Sequence, residues 1–337
     1  MTSSYKKIIL SLFLQELDST AELEVLDPDL NRSAYRKRCL QALRHVSTRH
    51  QILPSSLMIQ DVKRDGQNPV AGGGFADIWR GTVGDQPVCL KVLRLVIEPD
   101  EKQFSNEALL WRQLKHPNIL PLLGVNAELF SPSFCLISPW MENKDIITYL
   151  KGNPTHNRHN VLLEIAAGLS YLHSRDPPII HADIRGANIL VTDDFHCCLA
   201  DFGLALITAD SQSWSTATTS TMKGAIRWMA PELIVQGRGL SVKSSLHQTS
   251  RDIYAFGCTV VEVNKSLPIL TLRLPFHEQR NDAAVLYSLL NHERPTRPKS
   301  VWCSDAIWKL TTRCWAGHAA ARPQAREVYE VLQQSLS

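Results

Sequence analysis

The chain has 337 residues, of which 44% are hydrophobic and 20% charged, and its net charge is +3. That length suits one large bilobal domain or two ordinary ones with a real buried core, and the composition excludes a disordered chain. The charge is too small to argue for nucleic acid or an anionic membrane as a partner. No apolar run approaches the ~20 residues of a membrane span. Eight cysteines show no metal-ligand spacing, Cys197 and Cys198 being adjacent and the rest scattered. They fit buried thiols in a reduced, intracellular and cytoplasmic protein, with no disulfide framework.

Residues 1–56 read as a helical preamble. Lys6-Lys7 followed by Ile8 to Leu14 superficially resembles a signal peptide, but Glu16 and Asp18 close the run and no small-residue cleavage site follows. Tyr5 to Leu17 is predicted as one amphipathic helix. After the breaker Asp27-Pro28-Asp29 a second runs from about Leu30 to Val46, with Tyr35, Leu40, Leu43 and Val46 as a loose apolar stripe. The pair is either an extension packed on the main domain, which is the favoured reading, or a segment that docks a partner.

From Ser56 the periodicity changes to short β-rich pieces, Val70–Ile78 and Val88–Leu93, with Gly81, Gly84 and Asp85 as turn residues. The run Gly72-Gly73-Gly74-Phe75-Ala76-Asp77-Ile78 lies at the first hairpin, where glycines let backbone N–H groups approach phosphates. Lys91 ends an apolar strand, a place where a lysine often only snorkels. Glu107, in the helical stretch Asp100–Leu114, offers it a carboxylate. Phe134 to Glu142 reads as a further strand and its exit, and Asp145 opens the next helix as an N-cap. Asn160 to His173 is a core helix.

The stretch from Ile180 to Gly203 carries the chemistry. It reads Ile180-His181-Ala182-Asp183-Ile184-Arg185-Gly186-Ala187-Asn188, a short apolar run, then Leu199-Ala200-Asp201-Phe202-Gly203. Mg²⁺ takes one or two carboxyl or amide oxygens plus substrate phosphates, which Asn188 and Asp201 supply. Asp183 is left to orient a nucleophile. Eight hydroxyl residues then lie between Ser211 and Thr221, and the segment ends at Gly224-Ala225-Ile226-Arg227-Trp228-Met229-Ala230-Pro231-Glu232. Arg251-Asp252-Ile253-Tyr254-Ala255-Phe256-Gly257 comes next, and Cys314-Trp315 and Arg322-Pro323 follow near the end.

Two motifs in this order and spacing resemble the catalytic loop and metal loop of the protein kinases, a match to a known template. Trp-Met-Ala-Pro-Glu and Cys-Trp…Arg-Pro resemble the tyrosine-kinase-like branch, as in the many such kinases of fungi. The resemblance implies an α+β, bilobal kinase domain over 57–336, with a β-rich lobe at about 57–139 and a helical lobe at about 142–336. It also implies an ATP- and Mg²⁺-dependent enzyme acting on serine or threonine of a protein substrate in intracellular signalling. Catalytic roles fall to Asp183, Lys91, Glu107 and Arg185, and metal ligation to Asn188 and Asp201. Nucleotide contacts fall to Ala71, Gly72, Gly73, Gly74, Ile78, Cys89, Lys91, Ser138, Pro139, Met141, Asp145 and Leu190. Within these, the Pro139 carbonyl and Met141 N–H meet adenine behind the gatekeeper Ser138, and Asp145 is either cap or ribose contact. Arg322 is expected to pair with Glu232.

Departures from the pattern matter. Ala71, Gly73 and Ala76 occupy the three usual glycine positions, and Ala182 replaces the arginine before the catalytic aspartate. Activity is therefore not expected to depend on a phosphate on the segment; if it does, Arg227 or Lys223 has taken over the grip. Arg185 stands where serine/threonine kinases carry lysine, and Ala225 where they carry threonine. Residues 237–249 and 265–274 lengthen two connections, as exposed loops or as translated intron sequence. The alternative to an active enzyme is a pseudokinase that keeps the fold as a binding or scaffolding module. Because the lysine and both aspartates are kept, the active enzyme is the favoured reading.

Overall fold

Alternation of Val88, Leu90 and Val92 puts three buried side chains on one side of a strand, and that side organises the first half of the protein. In the computed structural model the described residues are 8–17, 30–50, 52–72, 76–94, 100–202, 206–207, 225–236, 245–264, 274–299 and 303–335. The chain divides into two units, Met1–Lys115 with Leu120–Trp140, and His116–Ile119 with Met141–Ser337. Together they give the α+β class.

In the first unit, β1 (Val62–Arg64), β3 (Ala76–Val83), β4 (Gln86–Leu93), β6 (Cys135–Pro139) and β5 (Gly124–Asn126) lie side by side in that order, and β2 (Ala71–Gly72) also pairs with β3. Every pairing is antiparallel. Val62, Val88, Leu90, Val92, Cys135 and Ile137 form the core on one face, closed by Trp79 and Phe130, whose rings stand 5.4 Å apart. Gly81 lies inside β3 and not in the turn, which is Gly84-Asp85 alone. A side chain at Gly81 would come within 2.7 Å of Leu90 Cδ1, so the glycine is there for close packing of neighbouring strands.

Three helices complete this unit: α1 (residues 8–17), α2 (Leu30–His50) and α3 (Asp100–Arg112). Helix α2 runs four residues past the predicted end. Its buried stripe is Cys39, Leu43 and Ser47, and Tyr35, expected in the stripe, is exposed.

The second unit is helical. Asp145 caps α4 (Ile146–Gly152) and Asn157 caps α5 (Arg158–His173), each side chain accepting two backbone N–H groups. The short helix α6 (Pro231–Gln236) is followed by α7 (Ser245–Val263), whose residues from Ile253 to Val261 are almost all buried. Helices α8 (Asp282–Leu290), α9 (Asp305–Cys314) and α10 (Ala325–Gln334) follow, with α9 packed on α7 and α10 on α5. Two small antiparallel pairs, β7 (Ile179–Ile180) with β10 (Leu206–Ile207) and β8 (Ile189–Val191) with β9 (Cys197–Leu199), hold the loops of the central motif. The expected loop over 237–249 is corrected in part, because Ser245 to Thr249 already belong to α7. Residues 237–244, 265–273 and the hydroxyl-rich run Ser211–Thr221 lie outside the described residues.

Candidate active site

Directly opposed residues of antiparallel strands share a face, so the register identifies the side chains that gather opposite the core. One row crosses the sheet as Ala71, Ile78, Lys91, Leu136 and Val125, and the next as Arg80, Cys89 and Ser138. Ala71, Ile78, Cys89, Lys91 and Ser138, dispersed over 68 positions of sequence, thus come to one surface. Pro139 follows at the end of β6, opposite Val88. Gly73 and Gly74 lie outside the described residues. Lys91 Nζ donates to Glu107 Oε1 at 3.0 Å, with both side chains largely removed from water. Burial pushes the Cys89 thiol up to about 11, against the Ser138 hydrogen bond and the Lys91 charge, so it stays a neutral thiol at pH 7.

In the second unit, Ile180 leads from β7 into a loop held by one buried acid, Asp252 of α7. Its Oδ2 accepts the His181 N–H at 2.8 Å and its Oδ1 the Ala182 N–H at 2.9 Å, while His173 Nε2 lies 2.9 Å from Oδ2. Those bonds hold Ala182 at φ 71°, a left-handed conformation that costs an alanine energy. His181 accepts the Asp183 N–H at Nδ1, so Nε2 carries the proton and donates to Ala200 O at 2.9 Å. Its ring also stands 5.1 Å from that of Phe202. One buried imidazole thereby joins the loop of Asp183 to the loop of Asp201. Asp201 itself sits at φ 65°.

Asp183 is positioned from two sides. Asn188 Nδ2 donates to its Oδ2 at 2.7 Å and to its carbonyl at 2.9 Å, and Arg185 Nε lies 3.4 Å from Oδ2. Because the amide nitrogen of Asn188 is engaged this way, its oxygen is the atom left to face a cation. That oxygen and the Asp201 carboxylate are hard oxygen donors of the kind Mg²⁺ would take. The Gly186 N–H donates to Glu262 Oε2 at 2.9 Å, and the Trp228 indole N–H donates to the same oxygen at 3.0 Å. Met141, Asp145 and Leu190 lie close along the chain fold, since Asp145 bridges Leu190 and Lys144 N–H donates to Met141 O at 3.0 Å. Asp145 Oδ1 accepts the Ile147 and Thr148 N–H groups at 3.0 Å each, and Oδ2 accepts the Thr148 hydroxyl at 2.6 Å.

Arg322 clasps Glu232 in the expected pair, with Nη1–Oε1 at 2.6 Å and Nη2–Oε2 at 2.7 Å. The Arg227 guanidinium is buried and donates to the carbonyls of Pro275, Phe276 and Gln279. Sequence reading missed Asp252 and Glu262 as organisers of the loop.

A strand lysine salt-bridged to a helix glutamate, a loop aspartate bonded to its own asparagine, and an Asp-Phe-Gly loop tied to it define a protein kinase. Residues 66–332 match the family described as protein tyrosine and serine/threonine kinase, and the chain belongs to that family, within its tyrosine-kinase-like group. It is 27% identical to the serine/threonine/tyrosine-protein kinase HT1 of Arabidopsis thaliana, over 79% of this chain and 65% of that protein. It is 29% identical to the serine/threonine-protein kinase STY46 of the same plant, over 79% of this chain and 43% of that one. Against mitogen-activated protein kinase kinase kinase 10 of Homo sapiens it is 31% identical, over 78% of this chain and 27% of that protein. The chain therefore spans less than two-thirds of the length of these relatives.

Proposed function

We propose that the chain is an active kinase that moves the γ-phosphate of ATP to serine or threonine hydroxyls of a protein substrate inside the cell. The domain doing so runs over 57–336, behind a helical extension at 1–56. The observation that carries this reading is the Lys91–Glu107 pair at 3.0 Å, which supports a lysine aimed to hold the α- and β-phosphates. Ala71, Ile78, Cys89 and Ser138 line the nucleotide, with Gly72, Gly73 and Gly74 over the phosphates. By the family resemblance Pro139 O and Met141 N–H are assigned to adenine and Leu190 to the nucleotide, while Asp145 keeps its capping role. Asp183 orients the acceptor hydroxyl and takes its proton, and Arg185 offsets charge growing on the transferred group. Asn188 and Asp201 hold Mg²⁺, which when bound neutralises phosphate charge.

Serine and threonine are favoured as acceptors by the Gly186-Ala187 pair, which resembles tyrosine-kinase-like serine/threonine members, and by a segment rich in both residues but without tyrosine. Eight free thiols agree with the intracellular reading. Among the described residues no helix is long and apolar enough to cross a membrane. Lys91→Met removes a charge-assisted contact of about 1.5–3 kcal/mol, so the Mg-ATP thermal shift should fall sharply. Equal shifts in both proteins would remove Lys91 from the site. Autophosphorylation should give phosphoserine and phosphothreonine, both lost in Asp183→Asn; predominant phosphotyrosine would overturn the acceptor assignment. Mg-ATP binding without any turnover would favour the pseudokinase, the reading that the alanines at 71 and 76 support.

A further inference from the structure

Glu107 opens a stretch of α3 with no face toward water. The five consecutive residues Glu107, Ala108, Leu109, Leu110 and Trp111 are all buried, and at 100° per residue they pass a full turn. A helix lying on a sheet needs only one apolar stripe, so something covers the far side of α3. Helix α2 packs against α3, and its stripe of Cys39, Leu43 and Ser47 is buried at the spacing of one helical face. Leu10, Leu14 and Leu17 bury the inner face of α1 completely.

The other end of this assembly is fastened to the sheet. Ser11 Oγ lies 2.9 Å from Ser55 Oγ and accepts the Ser56 N–H at 3.3 Å. Three residues after Ser56, Ile59 N–H donates to Val125 O of β5 at 2.9 Å, and β5 is a strand that α3 packs on. Residues 8–50 lie before the span matched by the family, 66–332, so nothing in that family's pattern accounts for them.

We propose that α1 and α2 form a brace, supplied by the chain itself, that holds α3 in the one position where Glu107 meets Lys91, so that residues 8–50 set the nucleotide affinity. The proposal rests on the role given above to the Lys91–Glu107 pair. A helix seated on one face can roll or slide, and a charge-assisted bond near 3 Å does not survive a shift of a helical turn's fraction. Closing the far face removes that freedom.

The test is a double-mutant cycle on the full chain, reading the Mg-ATP dissociation constant by calorimetry. Glu107→Gln should weaken binding about tenfold. Leu43→Ala, which empties part of the α2 stripe, should weaken it several-fold without touching the nucleotide. In the Leu43→Ala chain, Glu107→Gln should then cost less than about threefold, because the pair is already loosened. Should Leu43→Ala not fold, Ser47→Ala takes its place, removing only the 2.6 Å bond from Ser47 Oγ to Ile52 O. Penalties that simply multiply would overturn the brace while leaving the pair's role intact. A harmless Glu107→Gln in the otherwise unaltered chain would instead overturn that role, and the brace with it.

Discussion

Asp252 and Glu262 occupy the same helix, yet their carboxyls are driven in opposite directions. Burial opposes the Asp252 charge, but the His173 hydrogen bond and charge, with His181 and the Ala182 N–H, hold it below the usual carboxylate range. Burial pushes Glu262 up to about 7 from 4.5, and the Gly186 and Trp228 hydrogen bonds and the Arg185 charge do not reverse it, while Asp145 adds to the rise. A carboxyl raised in the fold keeps a proton that the unfolded chain has released. Its contribution is therefore fully present below about pH 4.5 and is lost as pH climbs to about 7, by about 3 kcal/mol. Asp252, lowered in the fold, loses its contribution only as pH falls through the acid range, so it is constant from pH 5 to 8. Glu262→Gln keeps an acceptor oxygen and no charge. Urea unfolding should show its stability gaining on wild type by about 2–3 kcal/mol between pH 5 and 8. A constant difference across that range would mean that Glu262 does not titrate there.

At the scale of elements, close approach decides what the pattern alone cannot. Residues Leu57 to Ile59 run so near β5 that a Cβ on Gly124 would stand 2.6 Å from Leu57 O and 2.7 Å from Ile59 Cδ1. Gly124→Ala should destabilise by about 1–3 kcal/mol and lower the thermal midpoint; unchanged melting would refute the contact. The same physics explains which elements were legible in the sequence. The alternation at Val88, Leu90 and Val92 and the apolar period of α5 report burial directly, so strand and helix were readable. Gly81 was taken for a turn because a glycine chosen for packing looks like a glycine chosen for a bend. The first turns of α7, from Ser245, are polar and carry no apolar period, so they read as loop. Tyr35 falls on the α2 period but its ring is left outside. In the site, Lys91 and Glu107 were findable because strand and helix follow one another directly. Asp252 and Glu262 act over 70 or more residues through backbone N–H groups, which leave no mark on the side-chain pattern.

At the scale of the whole molecule, Ala182 and Arg227 give a phosphate on the segment little to hold it. Ala182 carries only a methyl group, and the Arg227 guanidinium is taken by three carbonyls and lies 3.8 Å from Asp282. Phosphatase treatment should therefore leave most basal activity in a radiometric assay. Loss of nearly all of it would mean that a residue outside the described ones, such as Lys223, makes the grip.

The free thiols also make the protein its own unfolding gauge. All eight cysteines are unpaired; seven are buried and Cys89 is half-buried. Cys39, Cys89 and Cys135 belong to the first unit, and Cys197, Cys198, Cys258, Cys303 and Cys314 to the second. Alkylation needs an exposed thiolate, and burial denies the exposure. A brief pulse of iodoacetamide in rising urea, read by intact mass, should therefore add mass in steps that name the opening unit. A plateau at three labels would mark the sheet unit as the weaker, a plateau at five the helical one, and a jump straight to eight would make the two a single cooperative body.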